Sequence, residues 1–154
     1  MNDVDFLALA RGFAQLRDEW PVQPRFDPWE RWYSRIAAYD DHEVWLLTWL
    51  PGQGTDLHDH GGSSGAFFVV SGALTELTLD RPSSSARPRL RPTELGPGHG
   101  RAFGAHHIHQ VRNEGTAPTI SVHAYGPSLK SMTRYRLDVD GLQVDAVHTA
   151  GAQW

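Results

Sequence analysis

The sequence predicts an all-β domain that is preceded by one or two helices. Short runs rich in valine, leucine, phenylalanine, tryptophan and threonine follow one another through most of the chain. The 154 residues include 15 glycines and 10 prolines, which suits many turns between short elements. Within residues 74–79 the alternation sets Glu76 and Thr78 against Leu77 and Leu79, as in a strand with one wet face. The number and close spacing of such runs indicate a closed barrel or a sandwich.

Two helices are predicted before the strands. From residue 3 to residue 20 apolar side chains recur mostly three and four positions apart, which is the spacing of an amphipathic helix, and Asn2 or Asp3 could cap it. Two prolines then end the pattern. The segment DPWERWYSRIAAY, residues 27–39, predicts a second short helix, with Asp27 as its N-cap and a proline at the first helical position.

The strands are predicted from residue 39 onwards. In chain order they are EVWLLTWL, GAFFVVSG, ALTELTL, RLRPTELG, GRAFG, IHQVRNEG, TISVHAYG, MTRYRLDV and GLQVDAVHTA. The arginine- and serine-rich segment at residues 81–92 is interpreted as a solvated hairpin tip. We therefore expect a single domain, 1–154, in which residues 1–38 form helices packed on a β-barrel made by residues 39–154.

Composition narrows the function classes. The formal net charge of −4 offers no general attraction to nucleic acid or to an anionic membrane, so neither is expected as a partner. Cysteine is absent, which excludes disulfides, thiolate metal sites and a cysteine nucleophile. The first residues resemble neither a signal peptide nor a membrane span. We expect a cytoplasmic protein that is a monomer or a weak homo-oligomer.

The histidines are unevenly placed. His58 and His60 lie one residue apart between a glycine-rich turn and an apolar run, and in an extended chain their side chains point the same way. Clustered imidazoles bind iron, zinc, copper and nickel well. Seven of the nine histidines fall within one span of 66 residues: His58, His60, His99, His106, His107, His109 and His123. This clustering predicts a metal site that needs a third ligand.

The first part of this cluster resembles the first cupin motif. The matching residues are Gly52, then His58 and His60, and finally Gly72. Cupins place a glutamate ligand between the second histidine and the last glycine, and Gly65 stands at that position. The resemblance therefore implies a cupin, or jelly-roll, β-barrel that has lost its carboxylate ligand.

The second cupin motif ends in a histidine followed four positions later by asparagine. The stretch HQVRN supplies His109 and Asn113 at that spacing, with Gly98 upstream. His109 is therefore the third expected ligand. His107 is the alternative, because it lies on the same face of the predicted strand.

A cupin without the glutamate resembles the thiol dioxygenase branch, which comprises cysteine dioxygenase and its relatives. The sequences HDH and SVHAYGP support the resemblance, and the second matches the family's serine, histidine and tyrosine relay at Ser121, His123 and Tyr125. The resemblance spans residues 33–135 and implies that three neutral histidines hold ferrous iron, Fe(II). It also implies a small-molecule thiol and dioxygen as substrates and a sulfinate as product. Neutral ligands leave the metal its full charge, which favours a bound thiolate.

The substrate's carboxylate also has an expected partner. YSR resembles the family segment whose arginine binds that group, which points to Arg35, while Tyr125 would offer its hydroxyl to the substrate. L-cysteine is the expected substrate and 3-mercaptopropionate the alternative. A cupin that binds a metal or ligand without turnover, or a zinc or manganese isomerase, are the other possibilities. The serine, histidine and tyrosine relay argues against a binding protein without turnover, and the missing carboxylate ligand argues against an isomerase.

Overall fold

The computed structural model describes residues 3–80 and 87–149, and it confirms the all-β prediction. One α-helix and one short 3-10 helix come before strands that form two antiparallel sheets. The elements are α1 (Phe6–Gln15), the 3-10 helix Arg17–Glu19, β1 (Tyr33–Ala38), β2 (Glu43–Trp49), β3 (Leu57–His58), β4 (Ser64–Ser71), β5 (Leu74–Asp80), β6 (Arg89–Leu95), β7 (Gly100–Phe103), β8 (His109–Arg112), β9 (Thr119–Gly126), β10 (Ser131–Asp138) and β11 (Gly141–Thr149). No helix of the described residues is long and apolar enough to cross a membrane.

The two sheets face each other with the candidate site between them. The five-stranded sheet has the order β1-β2-β9-β4-β7, and the six-stranded sheet has the order β11-β10-β3-β8-β5-β6. Strand β9 lies at the centre of the first sheet, and almost all of its residues are buried. In the second sheet, β3 has only 2 residues and joins β10 to β8.

Strand β9 contributes to two separate hydrophobic cores because successive side chains point to opposite faces. Val122 and Ala124 belong to the core that packs under α1, together with Ala10 and Ala14 of the helix. Tyr125 belongs to the core between the sheets. The alternation SVHAY therefore sends its polar and aromatic members into the interior of the sandwich, where a site can form.

The first helix is shorter than predicted and has a different cap. Its N-cap is Asp5 rather than Asn2 or Asp3, and the Asp5 carboxylate accepts a hydrogen bond of 2.9 Å from the Ala8 amide. The chain then turns through the 3-10 helix, after which the Trp20 indole donates to the Phe13 carbonyl at 2.8 Å. This bond ties the segment after the 3-10 helix back to α1.

The prediction of a second helix at residues 27–39 is wrong. Asp27 accepts from the Trp29 amide at 2.8 Å in a local turn, and residues 33–38 form the edge strand β1, paired with β2. The barrel strands therefore begin at residue 33 and not at residue 39. A β-bulge interrupts the register with β2 between Arg35 and Ala37.

The other strands lie within a few residues of their predicted positions, except that the short strand β3 was not anticipated. Strands β5 and β6 pair from Leu74 and Leu95 to Asp80 and Arg89, as a hairpin requires. Residues 81–86, which contain most of the expected hairpin tip, lie outside the described residues. At the β4–β5 turn, Gly72 has a φ of 78°, and a Cβ there would collide with the Thr119 side chain.

Candidate metal centre

Three buried histidine rings meet between the sheets. His58 on β3 and His109 on β8 are directly opposite each other across the ladder, and His60 follows His58 after one residue. The ring centroids lie 4.7 Å apart for His58 and His109, and 4.9 Å apart for each ring paired with His60. One nitrogen from each ring lies within 4.8 Å of the others. The structure thus brings together the three histidines that the motifs selected.

The hydrogen bonds of these rings leave at least one nitrogen of each ring available to bind a metal. His58 bonds through Nδ1 to the Asp56 carbonyl at 2.8 Å, and His109 bonds through Nδ1 to the Glu76 carboxylate at 2.7 Å, which leaves Nε2 of each ring for a metal. Neither ring nitrogen of His60 has a partner among the described residues, although both are buried. Burial lowers the pKa of all three rings, so they are neutral and have lone pairs to donate. A metal that prefers nitrogen ligands would satisfy this site.

The aspartate between His58 and His60 ties the ligand segment to β10. The Asp59 amide donates to the Thr133 carbonyl at 2.9 Å, and the Asp59 carboxylate accepts from the Thr133 amide at 3.0 Å. It also accepts from the Tyr135 hydroxyl at 2.7 Å and from the Gly61 amide at 3.0 Å. Asp59 is therefore a structural residue that fixes the backbone on which both rings are carried.

The two cupin-like motifs contact each other through Gly52 and Asn113. The Gly52 amide donates to the Asn113 carbonyl at 2.8 Å, and Gly52 has a φ of 89°. The Asn113 side-chain amide donates to the carbonyls of Trp49 and Ala117, each at 2.9 Å. The asparagine that ends the second motif thus closes the loop after β8 and does not enter the metal site.

Gly65 has no room for a carboxylate ligand. A Cβ at this position would collide with the Ala124 carbonyl oxygen and would lie 3.0 Å from side-chain atoms of both Phe103 and Tyr125. The nearest obstacle is backbone in the centre of the sheet, which a rotamer change cannot move. A metal held by the three histidines therefore receives no protein carboxylate from position 65.

A chain of hydrogen bonds leads from the core towards the histidines. The Trp49 indole donates to Ser121 Oγ at 2.8 Å, Ser121 Oγ lies 2.8 Å from His123 Nε2, and His123 Nδ1 lies 3.3 Å from the Tyr125 hydroxyl. The Tyr125 ring in turn lies 5.4 Å from the ring of His60. The predicted relay residues are thus adjacent to the candidate ligands.

The hydrogen bonds of the relay all donate in one direction, from Trp49 towards Tyr125. Because Trp49 can only donate, the arrangement that gives every hydrogen an acceptor has Ser121 donate to His123, and His123 donate to the Tyr125 oxygen. Burial lowers the pKa of His123 to about 3, so its ring is neutral with one donor and one acceptor nitrogen. Burial also raises the pKa of Tyr125, which keeps its proton. The Tyr125 hydroxyl therefore has a hydrogen to donate to a ligand in the cavity.

The low pKa of His123 makes the metal-free protein sensitive to acid. The unfolded chain takes up a proton at this ring below about pH 6.5, whereas the folded chain does so only near pH 3. The unfolding free energy should therefore fall as the pH drops, by about 1 kcal/mol per pH unit below pH 6 for this group. Urea unfolding at pH 7, 6 and 5 should show a smaller pH slope in His123→Gln than in the wild type. Equal slopes would contradict the buried neutral ring.

A cavity lies beside the metal centre and contains two arginines, Arg31 and Arg134. Its polar residues also include Asp56, whose carboxylate lies 3.4 Å from Arg134 Nη1. The lining residues are Arg31, Tyr33, Trp45, Leu47, Trp49, Thr55, Asp56, His58, His109, Val111, His123, Tyr125, Leu129, Met132 and Arg134. An anionic small molecule suits this combination of cations and apolar walls.

Arg35 does not lie in this cavity. Its side chain is 55% exposed and pairs with the buried Glu43 carboxylate at 3.5 Å. Two other arginines line the cavity, and the guanidinium of one of them, Arg31, lies 5.0 Å from the centre of the Trp49 ring. Arg35 is therefore not among the residues that line the cavity, and its role as carboxylate ligand stays a prediction. Alternation could have suggested Arg31, which stands two residues before Tyr33, a neighbour in the same cavity wall.

Glu76 is the main site residue that the sequence did not indicate. Its side chain on β5 is fully buried, so Glu76 is not on the solvent-exposed face of the strand, where the alternation had suggested it. It accepts from His109 at 2.7 Å and His107 at 3.2 Å, and it pairs with Arg101 Nε at 2.5 Å. Burial alone would raise the pKa of Glu76, but these bonds and charges outweigh it and lower the pKa to about 2. His107 thus contacts Glu76 and lies outside the group of three rings.

The two antiparallel sheets have the fold of cupin proteins. A Thermus thermophilus protein matches with a TM-score of 0.57 and 22% identity, over 68% of this chain and 90% of its own. A Klebsiella pneumoniae protein with a double-stranded β-helix domain matches with a TM-score of 0.56 and 20% identity, over 79% of this chain and 90% of its own. A cupin superfamily protein of Desulfitobacterium hafniense DCB-2 matches with a TM-score of 0.51 and 16% identity, over 72% of this chain and 84% of its own. These similarities establish the cupin fold that the motifs predicted.

Within the cupins, the chain belongs to the cysteine dioxygenase type I family, whose profile matches residues 2–137. Cysteine dioxygenase type 1 of Rattus norvegicus is 25% identical over 136 residues, which cover 82% of this chain and 66% of that protein. The Homo sapiens protein is 21% identical over the same coverage. The chain thus spans 66% of the length of these relatives. The family indicated by HDH and SVHAYGP is confirmed.

Proposed function

We propose that the protein is an Fe(II)-dependent thiol dioxygenase that converts L-cysteine and dioxygen to cysteine sulfinate. The observation that carries the proposal is that three buried, neutral histidines meet beside the cavity that His123 and Tyr125 of the relay line. Ferrous iron bound by His58, His60 and His109 would bring the substrate thiolate and dioxygen together. Both oxygen atoms of one O2 end on sulfur, so the reaction needs no external reductant.

Arg31 takes the role of carboxylate ligand in this proposal, in place of Arg35. Its guanidinium is positioned over Trp49 at the wall of the cavity, and a planar guanidinium can bind a carboxylate through two parallel hydrogen bonds. Such a contact would both attract the anionic substrate and set the direction in which its sulfur points. Arg134 adds positive charge to the same cavity.

Tyr125 positions the substrate from the other side. The neutral His123 ring supplies a hydrogen bond to the tyrosine oxygen, which orients the hydroxyl hydrogen away from the relay. The hydroxyl can then donate to the carboxylate or to oxygen atoms during transfer to sulfur. The high pKa of Tyr125, caused by burial, suits a group that donates a hydrogen bond and keeps its proton.

Replacement of Tyr125 by phenylalanine should leave iron binding intact and slow turnover by about 100-fold, because only the hydroxyl is lost. Oxygen consumption by iron-loaded protein, normalised to measured iron content, checks this result. Ser121→Ala is a matched control further along the relay and should have a smaller effect than Tyr125→Phe. Unchanged turnover in the tyrosine variant would make the relay a structural feature only.

The alternative substrate is 3-mercaptopropionate, which shares the thiol and the carboxylate of cysteine but lacks the amine. The proposed role of Arg31 applies to both thiols. A metal-binding cupin without turnover would have no use for an oriented Tyr125 hydroxyl. The collision at Gly65 argues against an isomerase whose zinc or manganese needs an oxygen ligand.

Oxygen uptake by anaerobically iron-loaded protein tests the proposed function. L-cysteine and 3-mercaptopropionate are supplied separately, and the sulfinate products are quantified by mass spectrometry. We expect one sulfinate per O2 consumed and a higher kcat/KM for L-cysteine. Preference for 3-mercaptopropionate would retain the chemistry and change the substrate, whereas no uptake at full iron occupancy would refute the dioxygenase.

A further inference from the structure

The outer ring nitrogens of the three histidines have different environments. His109 contacts a carboxylate of Glu76, His58 contacts a backbone carbonyl, and His60 has no partner among the described residues. A carboxylate carries a full negative charge, so its hydrogen bond is stronger than that of a carbonyl. The three candidate ligands are therefore chemically unequal, although all three are imidazoles.

Glu76 is held in place from several elements. Its carboxylate is fully buried and contacts His109 on β8, His107 in the loop before β8, and Arg101 on β7. Strand β7 belongs to the five-stranded sheet, so the pair of Arg101 and Glu76 connects the two sheets directly behind the candidate ligands. These contacts hold the carboxylate against Nδ1 of His109.

We propose that Glu76 is a positioning residue of the metal centre, which fixes His109 with Nδ1 protonated and Nε2 directed at the metal, and which makes His109 the strongest electron donor of the three ligands. The inference rests on the metal site of the proposed function. Position 65 has no room for a carboxylate ligand, and the Glu76 carboxylate instead acts on the metal through the His109 ring. The guanidinium of Arg101 on the same carboxylate argues against Glu76 binding a metal itself.

Removal of the negative charge has two consequences. Loss of a hydrogen-bond partner behind a ligating histidine weakens metal binding by about 10- to 100-fold. Less negative charge near the metal also disfavours its higher oxidation state, so iron in Glu76→Gln should be harder to oxidise to the ferric form than iron in the wild type. Glutamine keeps the size of the side chain and could still accept a hydrogen bond, so the variant tests charge rather than volume.

The experiment measures Co²⁺ affinity of metal-free wild type, Glu76→Gln and Glu43→Gln by competition with a chelator, together with the visible absorption of bound Co²⁺. Glu43 is the matched control because its carboxylate is also buried, yet it contacts the Leu129 amide and Arg35 and no candidate ligand. We expect 10- to 100-fold weaker binding and a shifted spectrum in Glu76→Gln alone. Equal affinity and spectra in Glu76→Gln and wild type would overturn the inference.

Two further readouts keep the outcome clear. If Glu76→Gln does not fold, nitrogen-15 NMR of histidine-labelled, zinc-loaded wild type decides: metal on Nε2 with a strongly downfield Nδ1 proton at His109 supports the inference, and metal on Nδ1 overturns it. Wild-type protein that binds no Co²⁺ would refute the metal centre itself. Failure of the proposed function is thereby distinguished from failure of the role of Glu76.

Discussion

Replacement of His109 by alanine is expected to abolish metal binding at micromolar concentration and, with it, turnover. The loss should exceed the roughly 10- to 100-fold cost of removing an outer partner, because one of three ligands disappears. The reason is geometric, since His109 is the only candidate ligand on β8 and faces His58 directly across the ladder. Metal content after dialysis, measured by mass spectrometry, and thiol-dependent oxygen uptake check both effects.

His107→Ala is the matched control for this prediction. His107 stands two residues earlier, is 22% exposed and contacts Glu76 rather than the other two rings. It should retain metal and most of the activity. If His107→Ala lost the metal and His109→Ala kept it, the third ligand would be His107, and the asparagine spacing of the second motif would have been misleading.

The second large effect is expected at Arg31. Replacement by methionine keeps an unbranched side chain over Trp49 and removes the charged group, which should lower kcat/KM by about 10- to 150-fold, since hydrogen bonds to charged groups contribute roughly 1.5–3 kcal/mol. The change should appear mainly in KM for L-cysteine. Arg31→Lys should also be impaired, because a single ammonium cannot form two parallel bonds to a carboxylate.

Arg35→Met tests whether this assignment is correct. The Arg35 side chain is half-exposed and its ion pair with Glu43 lies outside the cavity lining, so kinetic constants should change less than twofold. Steady-state kinetics on both variants give the comparison. A large rise in KM in Arg35→Met, with none in Arg31→Met, would restore the role that the YSR motif implied.

The site could be predicted from sequence where its residues are close together along the chain. His58 and His60 need only the alternation of an extended segment, and the same alternation places Ser121, His123 and Tyr125 on one face of β9. The motif spacing then adds His109 from a distant strand. For these residues local geometry and the resemblance are sufficient, and the structure places them together.

Other residues depend on contacts between distant elements. Glu76 was assigned to a wet face because a glutamate in an alternating strand is usually exposed, and nothing in its neighbours along the chain indicates Arg101 or His109 as partners. The first barrel strand was mistaken for a helix because Asp27 and the proline after it match the start of a helix, whereas Asp27 forms only a local turn and residues 33–38 pair with β2. With that segment interpreted as a helix, the YSR resemblance pointed to Arg35, and Arg31 was not singled out.

The short strand β3 would give a bound metal a mechanical role. The hairpin of β10 and β11, which carries Met132 and Arg134 of the cavity wall, joins the rest of the six-stranded sheet through β3 and the adjoining Asp59. A metal bound by His58 and His109 would connect β3 to β8, with one ligand on each strand, and would strengthen their short pairing. Metal loss would then loosen the wall of the pocket and not only remove the reactive ion. Hydrogen exchange at the hairpin would accordingly report metal occupancy from a distance.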